Sequence, residues 1–231
     1  MQVDITYNYE IGNTMPNYVK LPLSILTAKH PKITELEYLV EVIPSLSETG
    51  PWIAGGSLLR TKMGLLMNTD IDIFFKNEKQ YLDYEIKIKN DVGNKFEYIS
   101  QEKNNYAHTI YIKYMGKKYK LQLIVFKYYE SPCDMLDNFD LDICQIAYDG
   151  DRLYVAENTF KSIDNLDMHI NHVNNPAYVM SRCMKYARLG FKMSNSEINK
   201  FFSLASKSNV QNSADKQFKN ESEEEYAALA G

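Results

Sequence analysis

The chain has 231 residues, 45% of them hydrophobic, and a formal net charge of -4. That is enough apolar material for a real core and excludes global disorder. The mild acidity excludes a nonspecific polyanion binder, so any contact with nucleic acid needs a local basic patch.

Residues 1–32 contain Pro16, Pro22 and Pro31 and read as an irregular segment, with a short helix near Ser24–Ala28. The start "MQVDITYNYE" lacks the basic and apolar regions of a signal peptide. No run of about 18 apolar residues is present to span a membrane. Cys133, Cys144 and Cys183 are scattered and form no CxxC pair, which suits a reducing compartment. The expectation is a cytoplasmic protein with no membrane partner.

"ITELEYLVEVI" (33–43) carries apolar residues at helical spacing, with Thr34 as N-cap and Pro44 as the stop. "WIAGG" (52–56) reads as a strand into a turn, "SLLRTKMGLLM" (57–67) as a helix, and "TDIDIFF" (69–75) as a strand. "EKQYLDYEIKIKND" (78–91) is an amphipathic helix that Gly93 would end. Three strands follow in "KFEYIS", "HTIYIKYM" and "KYKLQLIVFKY", the last two joined by a tight turn at Gly116-Lys117. "SPCDMLDNF" is a short helix capped by Ser131, and "DLDICQIAY" (140–148) reads as a strand. Asp149-Gly150 then turns that strand into "RLYVA".

Beyond residue 156 the pattern turns helical. "NPAYVMSRCMKYARLGF" opens with Asn175 as cap and Pro176 at the first helical position, and ends at Gly190. "SNSEINKFFSLAS" is a second helix, capped by Ser194 or Ser196. The tail is rich in Ser, Asn, Lys and Glu and is expected to fray, save for a short helix at "ESEEEYAALA". The organisation expected is an irregular segment (1–32), an α+β domain (33–155), a helical C-terminal region (156–207) and a flexible tail (208–231).

The chemistry centres on Gly55, Gly56, Ser57, Asp70 and Asp72. Alternate strand residues share a face, so Asp70 and Asp72 point together while Ile71 and Ile73 enter the core. Two like carboxylates repel unless a cation lies between them, and hard oxygen ligands suit Mg²⁺. The two glycines let backbone approach a ligand closely, and the free N–H groups of the helix that Ser57 opens suit a phosphate. A phosphate cradle beside a metal platform makes a phosphoryl-transfer site. The competing reading is a solvent-facing strand edge, a plain tight turn and a simple helix cap.

"AGGSLLRTKMGLLMNTDIDIFF" resembles the signature of the DNA polymerase beta-like nucleotidyltransferase superfamily. The shared elements are a Gly-Gly turn, a helix, and Asp-x-Asp between apolar residues. It is also similar to CCA-adding enzymes and bacterial poly(A) polymerases, although their Arg-Asp pair after the glycines is absent. "FDLDICQIAYDG" and "RCMKYARLGF" resemble a second pattern found in nucleotidyltransferase-like proteins of phages, large DNA viruses and fungi. Together the matches cover about 52–192.

The resemblance implies a mixed sheet flanked by helices. It implies a transferase moving a nucleoside monophosphate from a nucleoside triphosphate to an acceptor hydroxyl on an RNA 3′ end such as tRNA, a protein or a small molecule. Mg²⁺ or Mn²⁺ would be held by Asp70 and Asp72, and the triphosphate by Gly55, Gly56 and Ser57. The family's third carboxylate falls at Gln122, in "KYKLQLIVF". Either Asp140 or Asp142 substitutes, with Asp140 also helping to deprotonate the acceptor, or the chain is a degenerate binder of nucleotide or partner.

Arg182, Lys185 and Arg188, spaced by three, form either a basic strip for the triphosphate or a nucleic-acid backbone, or a solvated helix face. Tyr186 beside them packs in the core or stacks on a base. His169 and His172 in "HINH" read as surface histidines before zinc ligands. "KYMGKKYK" reads as a solvated basic turn before a nucleic-acid contact.

Overall fold

A computed structural model describes residues 18–27, 40, 43, 46–65, 69–91 and 95–207. The expected helix at 33–43 and the expected tail from 208 therefore lie outside the described residues, apart from Val40 and Ile43.

Eight strands form one mixed sheet: β1 (Tyr18–Pro22), β2 (Trp52–Ala54), β3 (Ile71–Phe74), β4 (Glu97–Lys103), β5 (Ala107–Tyr114), β6 (Lys117–Ile124), β7 (Ile146–Tyr148) and β8 (Arg152–Ala156). Their spatial order is β1-β8-β7-β2-β3-β6-β5-β4. Among the described strands only the β3–β6 pair is parallel, and every other neighbouring pair is antiparallel. That parallel pair needs a long crossover, which α3 (Glu78–Asp91) and the β4–β5 hairpin supply.

The other described helices are α1 (Ser24–Thr27), α2 (Gly56–Lys62), α4 (Pro132–Asp137), α5 (Thr159–Asn165), α6 (Pro176–Ala187) and α7 (Asn195–Lys207). The α+β organisation with a helical C-terminal part is what the sequence pattern led us to expect, and the mixed sheet flanked by helices is what the resemblance implied.

The strands alternate as the pleat requires. Ile53, Ile71, Ile73, Leu121, Leu123, Ile146 and Val155 enter the larger core, together with Leu58 and Leu59 of α2. Burying each such side chain is worth about 1.5–3 kcal/mol. Tyr81, Tyr84 and Ile88 form the buried stripe of α3. The Tyr81 and Tyr84 rings meet Phe75 edge-on, at 5.6 and 5.4 Å between centroids. On the opposite sheet face Trp52, Ala54, Phe74, Ala147 and Tyr154 pack with Met135 and Leu136 of α4. β4 ends the sheet on one side and is exposed along its whole length.

Local signals behave as their chemistry dictates. Asn175 caps α6 by accepting from the Tyr178 N–H, with Pro176 in the first turn. Ser131 caps α4 through the Asp134 N–H, and Ser194 accepts from the Glu197 N–H ahead of α7.

Four expectations need correction. The helix expected over 57–67 is α2 and ends at Lys62, where Met63 and Gly64 turn. Residues 18–22 form a strand, β1, paired antiparallel to β8; with its prolines this segment carries no clear strand period. The β5–β6 turn is centred one residue early, on Met115-Gly116, both at positive φ. "DLDICQIAY" is not one strand: Asp142–Cys144 make a 3₁₀ turn, and β7 begins only at Ile146.

Candidate functional site

Asp70 and Asp72 stand at the start of β3, with Asp72 on the sheet face away from the larger core. Asp70 and Asp72 are half-buried, while Ile71 and Ile73 between and after them are fully buried on the other side. In the ladders Asp72 stands opposite Ala54 of β2 and beside Gln122 of β6. The small Ala54 leaves room on one flank. Gln122, where the resemblance would place a third acid, occupies the neighbouring position on the other.

Gly55 and Gly56 close the approach from β2. Gly55 has φ 84° and ψ -134°, a conformation open in practice only to glycine. A Cβ there would stand 3.4 Å from the Phe139 ring and 3.9 Å from Asp72 Oδ2. The turn that delivers α2 is thus packed directly against the second aspartate. Ser57 is fully buried, and its Oγ has no hydrogen-bond partner. A buried hydroxyl without a partner is uncommon and carries a desolvation cost.

The electrostatics are those of a carboxylate pair held together. Burial, and then the Asp70 charge, push the Asp72 carboxyl up from its ordinary 3.8 to about 7. Arg182, Lys185 and Lys120 pull in the other direction and do not offset the rise. Lys120 Nζ lies 3.2 Å from Asp70 Oδ2. Arg182 and Lys185 come from α6 and are half-buried, whereas Arg188 on the same helix is exposed. The basic strip is therefore divided, with two of its members turned toward the aspartates and one toward solvent.

Behind this front stands a buried polar cluster. Arg182 Nη1 is 2.8 Å from Asp140 Oδ1. The contact is an ion pair and not a well-directed hydrogen bond, since neither Asp140 oxygen receives one. Arg182 Nη2 also donates to Cys144 Sγ at 3.4 Å, Cys144 donates to the Tyr186 hydroxyl at 3.1 Å, and the guanidinium stands over the Tyr178 ring. Tyr186 is a core residue, 4% exposed, and its hydroxyl limits the space at Gly56: a Cβ there would stand 3.3 Å away.

Asp142 is engaged elsewhere. Its Oδ1 accepts from the Ile143 and His169 N–H groups, both at 2.8 Å, and so holds the 3₁₀ turn to the segment before α6. Burial raises its pKa, while a Ser162 hydroxyl and these N–H groups favour the charged form. His169 faces Glu197 and His172 contacts the Asp137 carbonyl, so the two histidines serve different partners. Among the described residues no three His, Cys, Asp or Glu side chains converge to hold a metal ion. A cleft of about 490 Å³ at the β1–β8 edge, lined by Lys20, Glu48, Asp149 and Arg152 among others, shares no residue with the aspartate site.

Sequence reasoning did not find Lys120. Its signal was available: "KLQ" puts Lys120 and Gln122 on one face of a strand, two residues apart, as Asp70 and Asp72 are. Only the parallel β3–β6 register, which the sequence does not state, brings the two pairs side by side.

Residues 28–166 match the family model described as Gabija anti-defense 2 family protein, Gad2. The chain belongs to the Gad2 family. No curated protein matches it. Among solved structures, the Gad2 chain is similar to the Thermotoga maritima CCA-adding enzyme complexed with tRNA. The TM-score is 0.53 at 16% identity, over 83% of this chain and 46% of that one. It is also similar to a CCA-adding enzyme in complex with CTP. There the TM-score is 0.51 at 16% identity, over 77% of this chain and 44% of that one. This Gad2 chain thus spans less than half the length of those enzymes. At such identity the likeness shows the fold: a nucleotidyltransferase-like sheet and its helices. No described helix is long and apolar enough to cross a membrane.

Proposed function

We propose that this chain is a metal-dependent nucleotidyltransferase that transfers a nucleoside monophosphate from a nucleoside triphosphate to an acceptor hydroxyl on RNA, a protein or a small molecule. The observation that carries the reading is the Asp70–Asp72 pair. The first carboxylate stands just ahead of β3 and the second lies in β3 against the Gly55 turn, where burial and the first push it up to about 7. Such an arrangement is unfavourable for a protein that has no use for it, and a divalent cation relieves it.

The donor set fits one such cation: two carboxylates and the neutral amide oxygen of Gln122, all hard oxygens suited to Mg²⁺ or Mn²⁺. When bound, the cation supplies Lewis-acid stabilisation of charge on phosphate oxygens. The chain's own residues do the rest. Gly55 and Gly56 let the triphosphate approach the backbone, and Ser57 offers it a hydroxyl. Arg182 and Lys185 offset phosphate charge from α6. Asp140 acts through Arg182, holding the guanidinium in place from behind; with Arg182 upon it, it is poorly set to take a proton from the acceptor. That the solved CCA-adding enzymes are complexed with tRNA and with CTP supports a triphosphate donor and an RNA acceptor as the first to test.

The second reading is a degenerate site that binds nucleotide or a partner without chemistry. Gln122 in place of an acid, beside Asp72, favours it, and an anti-defense family name suits a binder as well as a modifying enzyme. Purified protein incubated with each α-³²P-labelled triphosphate, Mg²⁺ or Mn²⁺, and total cellular RNA and protein separates the two. Label on an acceptor that falls by on the order of 10³-fold in Asp70→Asn and Asp72→Asn variants supports transfer. Nucleotide binding with no label on any acceptor sinks it in favour of the binder.

A further inference from the structure

Strand β6 faces the aspartate pair with a matching pair of its own. β3 and β6 run parallel with Asp72 beside Gln122. Two residues before each, Lys120 of β6 comes alongside Asp70, which stands just ahead of β3; the Lys120 Nζ lies 3.2 Å from Asp70 Oδ2. Two anionic positions at the start of β3 thus meet one cationic and one neutral position on β6.

This placement is fixed by packing. Leu121 and Leu123 are fully buried on the other face of β6. A slip of one residue would expose both leucines and bury Lys120 and Gln122. The β5–β6 hairpin adds a second constraint, with Tyr111 opposite Lys120 and Thr109 opposite Gln122 in an unbroken eight-residue ladder. Lys120 is held on Asp70 by the sheet itself.

We infer that the aspartate site takes a single divalent cation, because Lys120 supplies a built-in ammonium on Asp70 where a second cation would stand. Two cations about 3.5–4 Å apart repel strongly and persist in two-metal sites only when carboxylates gather around both. Here Asp70, Asp72, Gln122 and Lys120 sum to one formal negative charge, and Arg182 and Lys185 add positive potential at Asp72. One divalent ion already exceeds that charge. The ammonium takes over the charge compensation of the absent second ion on Asp70, without its Lewis acidity.

The inference rests on reading Asp70–Asp72 as a cation site, and not on transfer being its use. The test is a titration of the full chain with Mn²⁺ alone, free ion being followed by its electron paramagnetic resonance signal. Lys120→Met, Lys120→Arg and Gln122→Glu variants are run beside the parent, and circular dichroism checks that each is folded. The parent is expected to bind one Mn²⁺. Lys120→Met is expected to bind a second, or to bind the first at least about tenfold tighter, because affinity follows the net charge of the ligand set. Lys120→Arg should match the parent, and Gln122→Glu should tighten the single site. Two Mn²⁺ on the parent, or an unchanged count and affinity in Lys120→Met, overturns the inference. A parent that binds one Mn²⁺ but labels no acceptor sinks transfer and leaves the single-cation site standing. Transfer by a parent carrying two Mn²⁺ does the reverse.

Discussion

The chain spells Asp-x-Asp twice between apolar residues, in "TDIDIFF" and in "FDLDICQIAY", and folds the two in different ways. Asp70 stands just ahead of β3 beside Lys120, and Asp72 lies within β3 against a glycine turn. Asp140 and Asp142 straddle the start of a 3₁₀ turn. There Asp140 pairs with Arg182, while Asp142 turns back on the Ile143 and His169 N–H groups. In the first copy Asp70 is paired at the surface, with Lys120, and Asp72 is held up by burial and by the Asp70 charge. In the second each is absorbed into the fold. Spacing alone does not make a site: the backbone that carries the acids decides whether they converge or disperse.

Breaking the second copy should therefore cost stability, and breaking the first should not. The largest effect is expected at Arg182. Replacing it by Met leaves Asp140 buried and unpaired, which costs about 3–5 kcal/mol. A urea denaturation curve checks this, and a midpoint unmoved from the parent would show that water reaches Asp140 once its partner is gone.

Asp142→Ala comes next. It strands two backbone donors, for a loss of about 1–3 kcal/mol, while Mn²⁺ affinity should stay within roughly twofold because the site is separate. A large fall in Mn²⁺ affinity with intact stability would mean that the two copies act on one ion.

The smallest effect sharpens the contrast from the other side. Folded protein keeps the Asp72 proton up to about pH 7, whereas the unfolded chain releases it near pH 4. The folded state binds more protons in that window, so stability falls as pH rises from about 4 to about 7 and then levels. Asp72→Asn removes this decline. Discounted for its partly exposed position, the gain over the parent should be about 1 kcal/mol at pH 8 and nearly absent at pH 4. Thermal melts without divalent ions across that range read it, and a variant less stable than the parent at pH 8 would show that burial and the Asp70 charge do not hold the Asp72 carboxyl up.

Much of this was legible in the residues. Asn175-Pro176 announced α6, and the alternation of "HTIYIKYM" and "KYKLQLIVF" announced β5 and β6, because caps and pleats act over a few residues. The aspartate pair and its glycines were legible for the same reason. β1 was not, since its strand character comes from pairing with β8, more than a hundred residues away. Asp142 was not, because its task depends on His169 coming to it across the fold. Lys120 was hidden by a parallel register that no local pattern encodes.

The exposed strand β4 has a consequence for how the chain behaves in company. A strand at the end of a sheet is a template on which another copy can grow, and crowded solutions are where such growth begins. β4 carries Glu97, Glu102 and Lys103 along seven exposed residues, and its register shifts between Tyr98 and Ser100. Charge and irregularity both discourage an incoming strand. The hydrophobic steps that remain, Tyr98 and Ile99, are the short stretch at which aggregation would start if those charges were removed.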